Sequence, residues 1–427
     1  MAEKRAPAFR RATPTTAAEA LAQMTFSPPR RAPGALAVYL SAAGASLSAA
    51  ARASTSRDTA WRETIEHRAL VLTSRLRQYD PDEIRAAVAK AGVSQLADAI
   101  EGIEAYRVAP PLRRPPDPPT IWSDGSARLL DFGSEDAKAP AVVAIPSLIN
   151  RARILDLSRA RSLMRGLRAR GVRPLLLDWG DPGVEEQGFG LAEYITGRIA
   201  PALNAARRAS GRRVAILGHC MGGTLAIAAA QLYDVHVSRL VLIATPWDAS
   251  ELLPPEGLRP DRATLEKLFN ACGAIFGGVP PDLLDLLFFS RDPLQMLRKF
   301  PTFAKLSRNS ARGRLFVAVE DWLNDGVRLA APAARELFID WAIDNQPLRG
   351  QWRVDGTRIR PDQLRTPALV VASQQDTITP YASALSAHHM LPEADLIEPR
   401  AGHVGMIVGR HAEQDLWDPL ANWLRSP

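Results

Sequence analysis

The stretch RRVAILGHCMGGTLAIAAA, residues 212–230, decides how this chain folds. It begins with a short apolar run typical of a buried strand and ends in an alanine-rich run that predicts a helix. Between the two runs, Gly218, Gly222 and Gly223 surround Cys220. A nucleophile held on a sharp strand-to-helix turn needs neighbours that are nearly free of side chains, two residues before it and two after. The stretch therefore predicts a nucleophile elbow in which cysteine occupies the nucleophile position.

The composition describes a globular protein with a substantial core. Of the 427 residues, 46% are hydrophobic and 23% are charged, and the net charge is +7. We find no apolar segment strong enough for a transmembrane span and no recognisable nucleic-acid-binding module. Two cysteines are too few for a disulfide framework and suit a reducing cytoplasm. We therefore expect a cytoplasmic protein that has neither a membrane segment nor a nucleic-acid partner.

The chain divides into three regions by composition. Residues 1–34 carry six Lys or Arg against two Glu and predict a basic, disordered tail, with a transit peptide as the alternative. Residues 35–115 predict a small helical region, in which DPDEIRAAVAKAG places a capping Asp and a Pro at a helix start and Gly92 at its end. Six prolines in residues 109–122 predict an extended segment that leads into the third region, residues 116–427.

The third region alternates short apolar runs with amphipathic helices, which indicates βαβ units on a mostly parallel sheet. The predicted strands are ARLLDFG, APAVVAIPSL, VRPLLLDWG, RRVAILGH, VSRLVLIATP and TPALVVASQQD. The segments LDLSRARSLMRGLRARG (residues 155–171) and LAEYITGRIAPALNAARRASG predict helices between strands. Residues 247–360 form a long insertion rich in helix formers. In a sheet fold, such an insertion usually covers the strand ends where ligands bind, so we predict an α/β-hydrolase fold with a helical cap.

An acid and a histidine follow Cys220 in the order that an α/β-hydrolase requires. Asp376 comes directly after a predicted strand, and His403 lies in a glycine-flanked loop 27 residues later. Of the seven histidines, His403 alone has the placement expected of a base. We expect the side chain of His219, inside the elbow, to point away from the thiol.

The start of the helix that follows the elbow should favour negative charge. A helix N-terminus stabilises a thiolate, which is the nucleophilic form of cysteine. The N–H of Met221 would point to where an oxyanion forms, and we expect a second donor from the loop near Ile149 or Asn150. No metal-ligand cluster or phosphate-binding loop is found in the sequence, so we expect no cofactor.

Four motifs together resemble the polyhydroxyalkanoate synthase family. GHCMGGT resembles its cysteine-containing lipase box, and IPSLINRARILDLSRARSLMRGLRARGVRPLLLDWGDPG resembles its segment with an I-N turn, I-L-D-L and a strand that ends in Trp. DWLNDG resembles the W-x-x-D element of its covering region, and AGHVGMIVG resembles its catalytic histidine segment. The resemblance spans about residues 120–412. It departs from the family at Thr377, because members commonly have His after the catalytic Asp.

The resemblance implies an acyltransferase that polymerises 3-hydroxyacyl-CoA. His403 would take the proton of Cys220, the thiolate would attack the thioester, and CoA would leave. Asp376 would orient His403 and help to activate the incoming 3-hydroxyl. CoA is then part of the substrate and a product.

Partners follow from the same resemblance. They would be the 3-hydroxyacyl-CoA substrate, a growing polyester chain or granule surface, and a second copy of the chain or a second synthase subunit. The chain is shorter than the self-sufficient members of the family and longer than those that need a partner subunit. Two alternatives stay open: a cysteine-dependent hydrolase or thioesterase on the same scaffold, and a granule-associated scaffold protein without turnover.

Overall fold

An eight-stranded sheet forms the centre of the protein. The computed structural model describes residues 63–110, 112–253, 259–289 and 294–426, together with residue 292 and scattered positions between 30 and 53. The strands are β1 (Thr120–Asp124), β2 (Ala127–Asp131), β3 (Ala141–Ile145), β4 (Arg173–Asp178), β5 (Val214–His219), β6 (Val237–Ile243), β7 (Ala368–Val371) and β8 (Ala394–Ile397). Their spatial order is β1-β2-β4-β3-β5-β6-β7-β8. β2 pairs antiparallel with β1 and β4, and the other pairs are parallel. The predicted α/β architecture is confirmed.

The central strands are apolar throughout because both faces of the sheet are covered. Every residue of β3 and β5 is buried. Val143 and Ile145 belong to the core on one face, whereas Val142 and Ala144 belong to the core on the other. The alternation follows from the two-residue period of a strand. β5 runs parallel beside β3, with Gly218 opposite Ile145, so the elbow begins at the end of β3.

Helices cover both faces of the sheet and one end of it. The longer ones are α1 (Glu63–Leu76), α2 (Pro81–Arg107), α3 (Leu163–Ala169), α4 (Ala200–Ser210), α5 (Met221–Leu232), α6 (Arg262–Phe276), α7 (Pro281–Phe289), α8 (Gln295–Ala304), α9 (Ala311–Leu323), α10 (Tyr381–Met390) and α11 (Asp418–Arg425). A π-helical turn, Ile195–Ile199, leads into α4, and another, Glu336–Ile343, follows the short helix Ala331–Arg335. Among the helices described, none is long and apolar enough to cross a membrane.

The predicted cap insertion is mainly helical where it is described, and it ends in a small hairpin in which Arg353–Val354 pairs with Thr357–Arg358. Helices α6 to α9 and Ala331–Arg335 all lie between β6 and β7. Cys272, on α6, is buried in the core.

The segment predicted as one helix from residue 155 is helical only in its second half. Asp156–Ser158 and Arg161–Ser162 form a small hairpin, and α3 begins after it. The Ser162 hydroxyl accepts a hydrogen bond from the Arg165 N–H at 2.9 Å and so caps α3. Asp156, which is buried, binds the Arg165 guanidinium at 2.8 Å. The cap and the ion pair therefore fix an irregular start that helix propensity does not reveal.

The predicted start of the N-terminal helix is confirmed, but its predicted end is wrong. The Asp80 carboxylate accepts a hydrogen bond from the Asp82 N–H, and Pro81 is the first helical residue of α2. The helix continues through Gly92 to Arg107. A Cβ at Gly92 would lie 3.0 Å from Leu47 Cδ1, so this glycine allows a close contact instead of ending the helix.

Arg30 belongs to the predicted disordered tail and contacts the cap. Residues 1–29 and 31–34 lie outside the described part of the chain. The Arg30 guanidinium binds Asp321 at 2.5 Å and lies 5.6 Å from the centre of the Tyr106 ring. Residue 30 is therefore held against the cap by charge and by the aromatic ring. The extended proline segment also ends earlier than predicted, because Thr120–Asp124 pairs with β2 as an additional edge strand.

Helix α2 packs on the cap at Gly102, which generates a stability prediction. A Cβ on Gly102 would lie 2.2 Å from the Phe300 carbonyl oxygen of α8, so Gly102→Ala must push the two helices apart. We expect a loss of about 1–3 kcal/mol in the free energy of unfolding. The control is Gly197→Ala, because a Cβ there meets nothing within 4 Å and alanine favours the helix. Thermal denaturation of both variants checks the prediction, and equal midpoints would contradict it.

Candidate active site

The elbow holds Cys220 in a backbone conformation that side chains rarely adopt. The residue lies between β5 and α5 with φ 54° and ψ −131°. Its N–H donates to the Ile243 carbonyl at 2.8 Å, and its own carbonyl accepts from the Gly223 N–H at 2.8 Å. These bonds fix the turn from both sides. The thiol is thus presented at the N-terminus of α5, where the helix dipole favours a negative charge.

The three glycines around Cys220 remove atoms that would otherwise collide. A Cβ at Gly218 would lie 2.3 Å from Gly223 Cα, and one at Gly222 would lie 2.2 Å from the Ile145 carbonyl oxygen. A Cβ at Gly223 would lie 1.8 Å from Thr245 Oγ1. The turn therefore packs backbone against backbone, between the ends of three neighbouring strands.

Asp376 and His403 meet at the same edge of the sheet. Asp376 lies in the loop after β7, and His403 lies in the loop after β8. His403 Nδ1 is 2.8 Å from Asp376 Oδ2. The other carboxylate oxygen of Asp376 accepts from the N–H groups of Ile378 at 2.8 Å and Thr379 at 2.9 Å. The carboxylate is consequently held in one orientation, with its side chain 1% exposed.

His403 also bonds to Cys220. Since its Nδ1 faces Asp376, the hydrogen bond to the sulfur falls to Nε2. Burial lowers the pKa of His403, but the charge on the sulfur and the hydrogen bonds to Asp376 and Cys220 outweigh burial and raise this pKa to about 10. The imidazole of His403 is therefore protonated at neutral pH, beside the sulfur of Cys220. The sulfur, the imidazole and the carboxylate form a continuous hydrogen-bonded row.

The candidate oxyanion donors lie where the sequence predicts, but one of them is already engaged. Met221 is the first residue of α5, and Ile149 and Asn150 line the same cavity as Cys220. The Ile149 N–H donates to Ser147 Oγ at 3.2 Å. Asn150 forms an isolated backbone bridge with Gly326 of the cap. Met221 and Asn150 are therefore better placed than Ile149 for a role as donors.

The ring of His219 lies beside that of His403. The two ring centres are 5.2 Å apart, and both residues belong to the lining of the cavity. Burial, with repulsion from His403, lowers the pKa of His219 well below its usual value. His219 is therefore neutral and adds no second positive charge next to His403.

The cavity above Cys220 has a volume of about 360 Å³ and is mainly apolar. Its floor comes from the elbow and from the loops that carry Asn150, Thr377 and His403. Its roof comes from the cap, through Asp285, Gln295, Trp322 and Leu323. Trp322 and Leu323 belong to the DWLNDG motif, whereas no sequence pattern pointed to Asp285 and Gln295, because no spacing rule relates α7 and α8 to the elbow.

A hydrogen bond and two ion pairs join the cap to the loop that follows β3, beside this cavity. The Trp322 indole N–H donates to the Arg151 carbonyl at 2.8 Å. The Asp325 carboxylate binds the guanidinium groups of Arg151 at 3.0 Å and Arg153 at 2.6 Å. Trp322 and Asp325, both in the DWLNDG motif, thus hold the loop that follows β3.

Within the described residues, no group of three or more His, Cys, Asp or Glu side chains could hold a metal ion.

Comparison with known proteins agrees with this geometry. The sequence profile of the α/β hydrolase fold matches residues 140–410, well over half of the chain. The chain is 28% identical to a poly(3-hydroxyalkanoate) polymerase subunit PhaC from Haloferax mediterranei, over 71% of this chain and 62% of the relative. For the same subunit from Haloarcula marismortui the values are 27%, 70% and 64%, and for that from Synechocystis sp. they are 26%, 66% and 77%. The resemblance drawn from the four motifs is confirmed. The first two alignments span less than two thirds of the relatives' length.

The row of hydrogen bonds predicts how Cys220 reacts with an alkylating agent. In His403→Gln the thiolate loses its positively charged partner, so we expect iodoacetamide to modify Cys220 about tenfold or more slowly at pH 7. The rate is followed by peptide mass spectrometry, which separates Cys220 from Cys272. The matched control is His411→Gln, because His411 is exposed and should not affect the rate. An unchanged rate in His403→Gln would contradict the pairing.

Proposed function

Because the chain belongs to the α/β-hydrolase fold family, we propose that Cys220 is the nucleophile of an acyltransferase that polymerises 3-hydroxyacyl groups and releases CoA. One observation carries the proposal: the elbow presents a thiol, hydrogen-bonded to His403, where an esterase would present a hydroxyl. The similarity to poly(3-hydroxyalkanoate) polymerase subunits supports the choice of substrate class.

In the first half of the proposed reaction, His403 holds the proton of Cys220 while the thiolate attacks the carbonyl carbon of the 3-hydroxyacyl-CoA thioester. The oxyanion that forms is stabilised by backbone N–H groups, for which Met221 and Asn150 are the candidates. The carbon–sulfur bond to CoA then breaks, and the CoA thiolate takes the proton from His403. The acyl group is now bound to Cys220, and free CoA has left.

In the second half, a hydroxyl group attacks the acyl-cysteine. His403, now neutral, takes the hydroxyl proton as an ester bond forms, and the Cys220 thiolate leaves. An acyl group on sulfur keeps the transfer potential of a thioester, whereas an acyl group on serine would be an ordinary ester. This difference is the physical reason to expect transfer to a hydroxyl at an elbow that carries cysteine.

Asp376 acts through His403 in this scheme. Its carboxylate accepts three hydrogen bonds from the protein, and its side chain is only 1% exposed. Direct activation of the incoming 3-hydroxyl, which the family resemblance assigns to this residue, would need a surface that the carboxylate does not present. We therefore assign Asp376 the orientation of His403 and the stabilisation of its charge.

The proposal implies few other components. CoA enters as part of the substrate and leaves as a product, and no separate cofactor is required. The growing polyester or the surface of a cytoplasmic granule would be the second partner. A further copy of the chain or a second synthase subunit would complete the assembly if the isolated chain is inactive.

A cysteine-dependent hydrolase or thioesterase is the second candidate. The hydrogen-bonded row of Cys220, His403 and Asp376 is sufficient for hydrolysis, because water could replace the hydroxyl in the second half of the reaction.

The products formed from 3-hydroxybutyryl-CoA test the proposal. We expect the purified chain to release CoA, measured with a thiol reagent, and to form an insoluble polymer. Cys220→Ala should release no CoA, since the acyl acceptor is gone, whereas Cys272→Ser should retain activity because Cys272 lies in the core of the cap.

Three other outcomes are informative. CoA release with soluble 3-hydroxybutyrate would favour the hydrolase. An absence of CoA release, both from the chain alone and after addition of a polymerase subunit partner, would favour a scaffold without turnover. Activity that survives in Cys220→Ala would contradict both enzymatic candidates.

A further inference from the structure

The proposed reaction leaves the 3-hydroxyl of the substrate without a recognised contact. Two polar groups near the elbow are unsuitable for it. Asp376 is shielded behind His403, and His219 Nε2 is buried away from the surface of the cavity. Recognition of the hydroxyl must therefore come from another wall of the cavity.

Two further polar side chains on the catalytic-domain side, those of Arg151 and Ser147, are already occupied. Arg151 is bound by Asp181 at 2.9 Å and Asp325 at 3.0 Å. Ser147 Oγ accepts from the Ile149 N–H. These interactions hold the loop after β3, and a substrate that displaced them would loosen the site.

Asp285 of the cap presents a carboxylate to the same cavity. It lies on α7, is half-buried, and lines the cavity together with Cys220 and His403. Among the residues that the structure describes, its carboxylate has electrostatic neighbours but no hydrogen-bond donor. The nearest cation, Lys299, is bound by both oxygens of Glu320, at 2.8 and 2.9 Å. A carboxylate in this position has free acceptor capacity at the wall of the cavity.

The surroundings of Asp285 leave it ionised under ordinary assay conditions. Burial and the nearby Asp282 raise the pKa of Asp285 to about 6, and Lys299 opposes the shift. At pH 8 the group is therefore a carboxylate, which accepts hydrogen bonds and donates none. A hydroxyl donor meets this requirement, whereas an unsubstituted acyl chain leaves the carboxylate desolvated and unpaired.

We propose that the Asp285 carboxylate accepts a hydrogen bond from the 3-hydroxyl of the acyl group and thereby selects 3-hydroxyacyl thioesters over unsubstituted acyl thioesters. The inference rests on the proposed function, and it adds a specificity residue from the cap to a reaction carried out by the catalytic domain. A site built to pair with a substrate hydroxyl discriminates strongly against the analogue that lacks it, because the protein group then loses its partner.

The test compares kcat/KM for CoA release from 3-hydroxybutyryl-CoA and butyryl-CoA at pH 8. We expect Asp285→Ala to lower the value for the hydroxylated substrate about tenfold or more and to leave the value for butyryl-CoA unchanged or raised. Asp285→Asn keeps the shape of the side chain and should show an intermediate loss. The matched control is Asp282→Ala, on the same helix but exposed, for which the ratio of the two values should stay at that of the unmodified chain.

The outcomes separate this inference from the proposed function. If the unmodified chain releases CoA and Asp285→Ala, with an unchanged melting temperature, keeps the same substrate ratio, the role of Asp285 is overturned and the proposed function stands. If Asp285→Ala does not fold, an unchanged ratio in Asp285→Asn overturns it equally. If the unmodified chain releases no CoA from either thioester, both alone and after addition of a polymerase subunit partner, both proposals fail.

Discussion

The close approach of backbone to backbone at residues 218–223 is the constraint on which the site depends. A non-glycine residue at φ 54° and ψ −131° is strained by about 1–3 kcal/mol, and the rest of the fold must offset this cost. The offset comes from the fully buried strands β3 and β5 and from the bond between the Cys220 N–H and the Ile243 carbonyl. Without these backbone contacts we expect Cys220 to leave the strained conformation, and its sulfur would move away from His403. The parallel sheet is therefore the device that sets the position of the thiol.

The cap contributes both the roof of the cavity and support for its floor. Trp322 and Asp325 hold the loop of Arg151, while Asn150 in the same loop pairs with Gly326. The apolar walls favour an acyl chain, and the few polar groups are distributed between the two layers. The proposed reacting groups lie at the ends of the parallel strands, and the proposed specificity residue, Asp285, lies on a helix of the cap.

How much the sequence predicts depends on how far apart the interacting residues are. The elbow, the sheet and the order of Cys220, Asp376 and His403 could be predicted, because each is written in a short pattern or in the order of parallel strands. The continuation of α2 through Gly92 could not be predicted, since it depends on the close approach of Leu47, which is distant in sequence. The orientation of His219 and the place of Asp285 depend on elements that meet only after folding, so propensity and spacing carry no information about them.

The ion pair between Arg30 and Asp321 links residue 30 to helix α9 of the cap. Asp321 is adjacent in sequence to Trp322, whose indole supports the Arg151 loop. Arg30 is thus connected, through two adjacent residues of α9, to a side chain that lines the cavity. A substitution at residue 30 would therefore reach the wall of the cavity, although this residue lies far from Cys220 in the sequence.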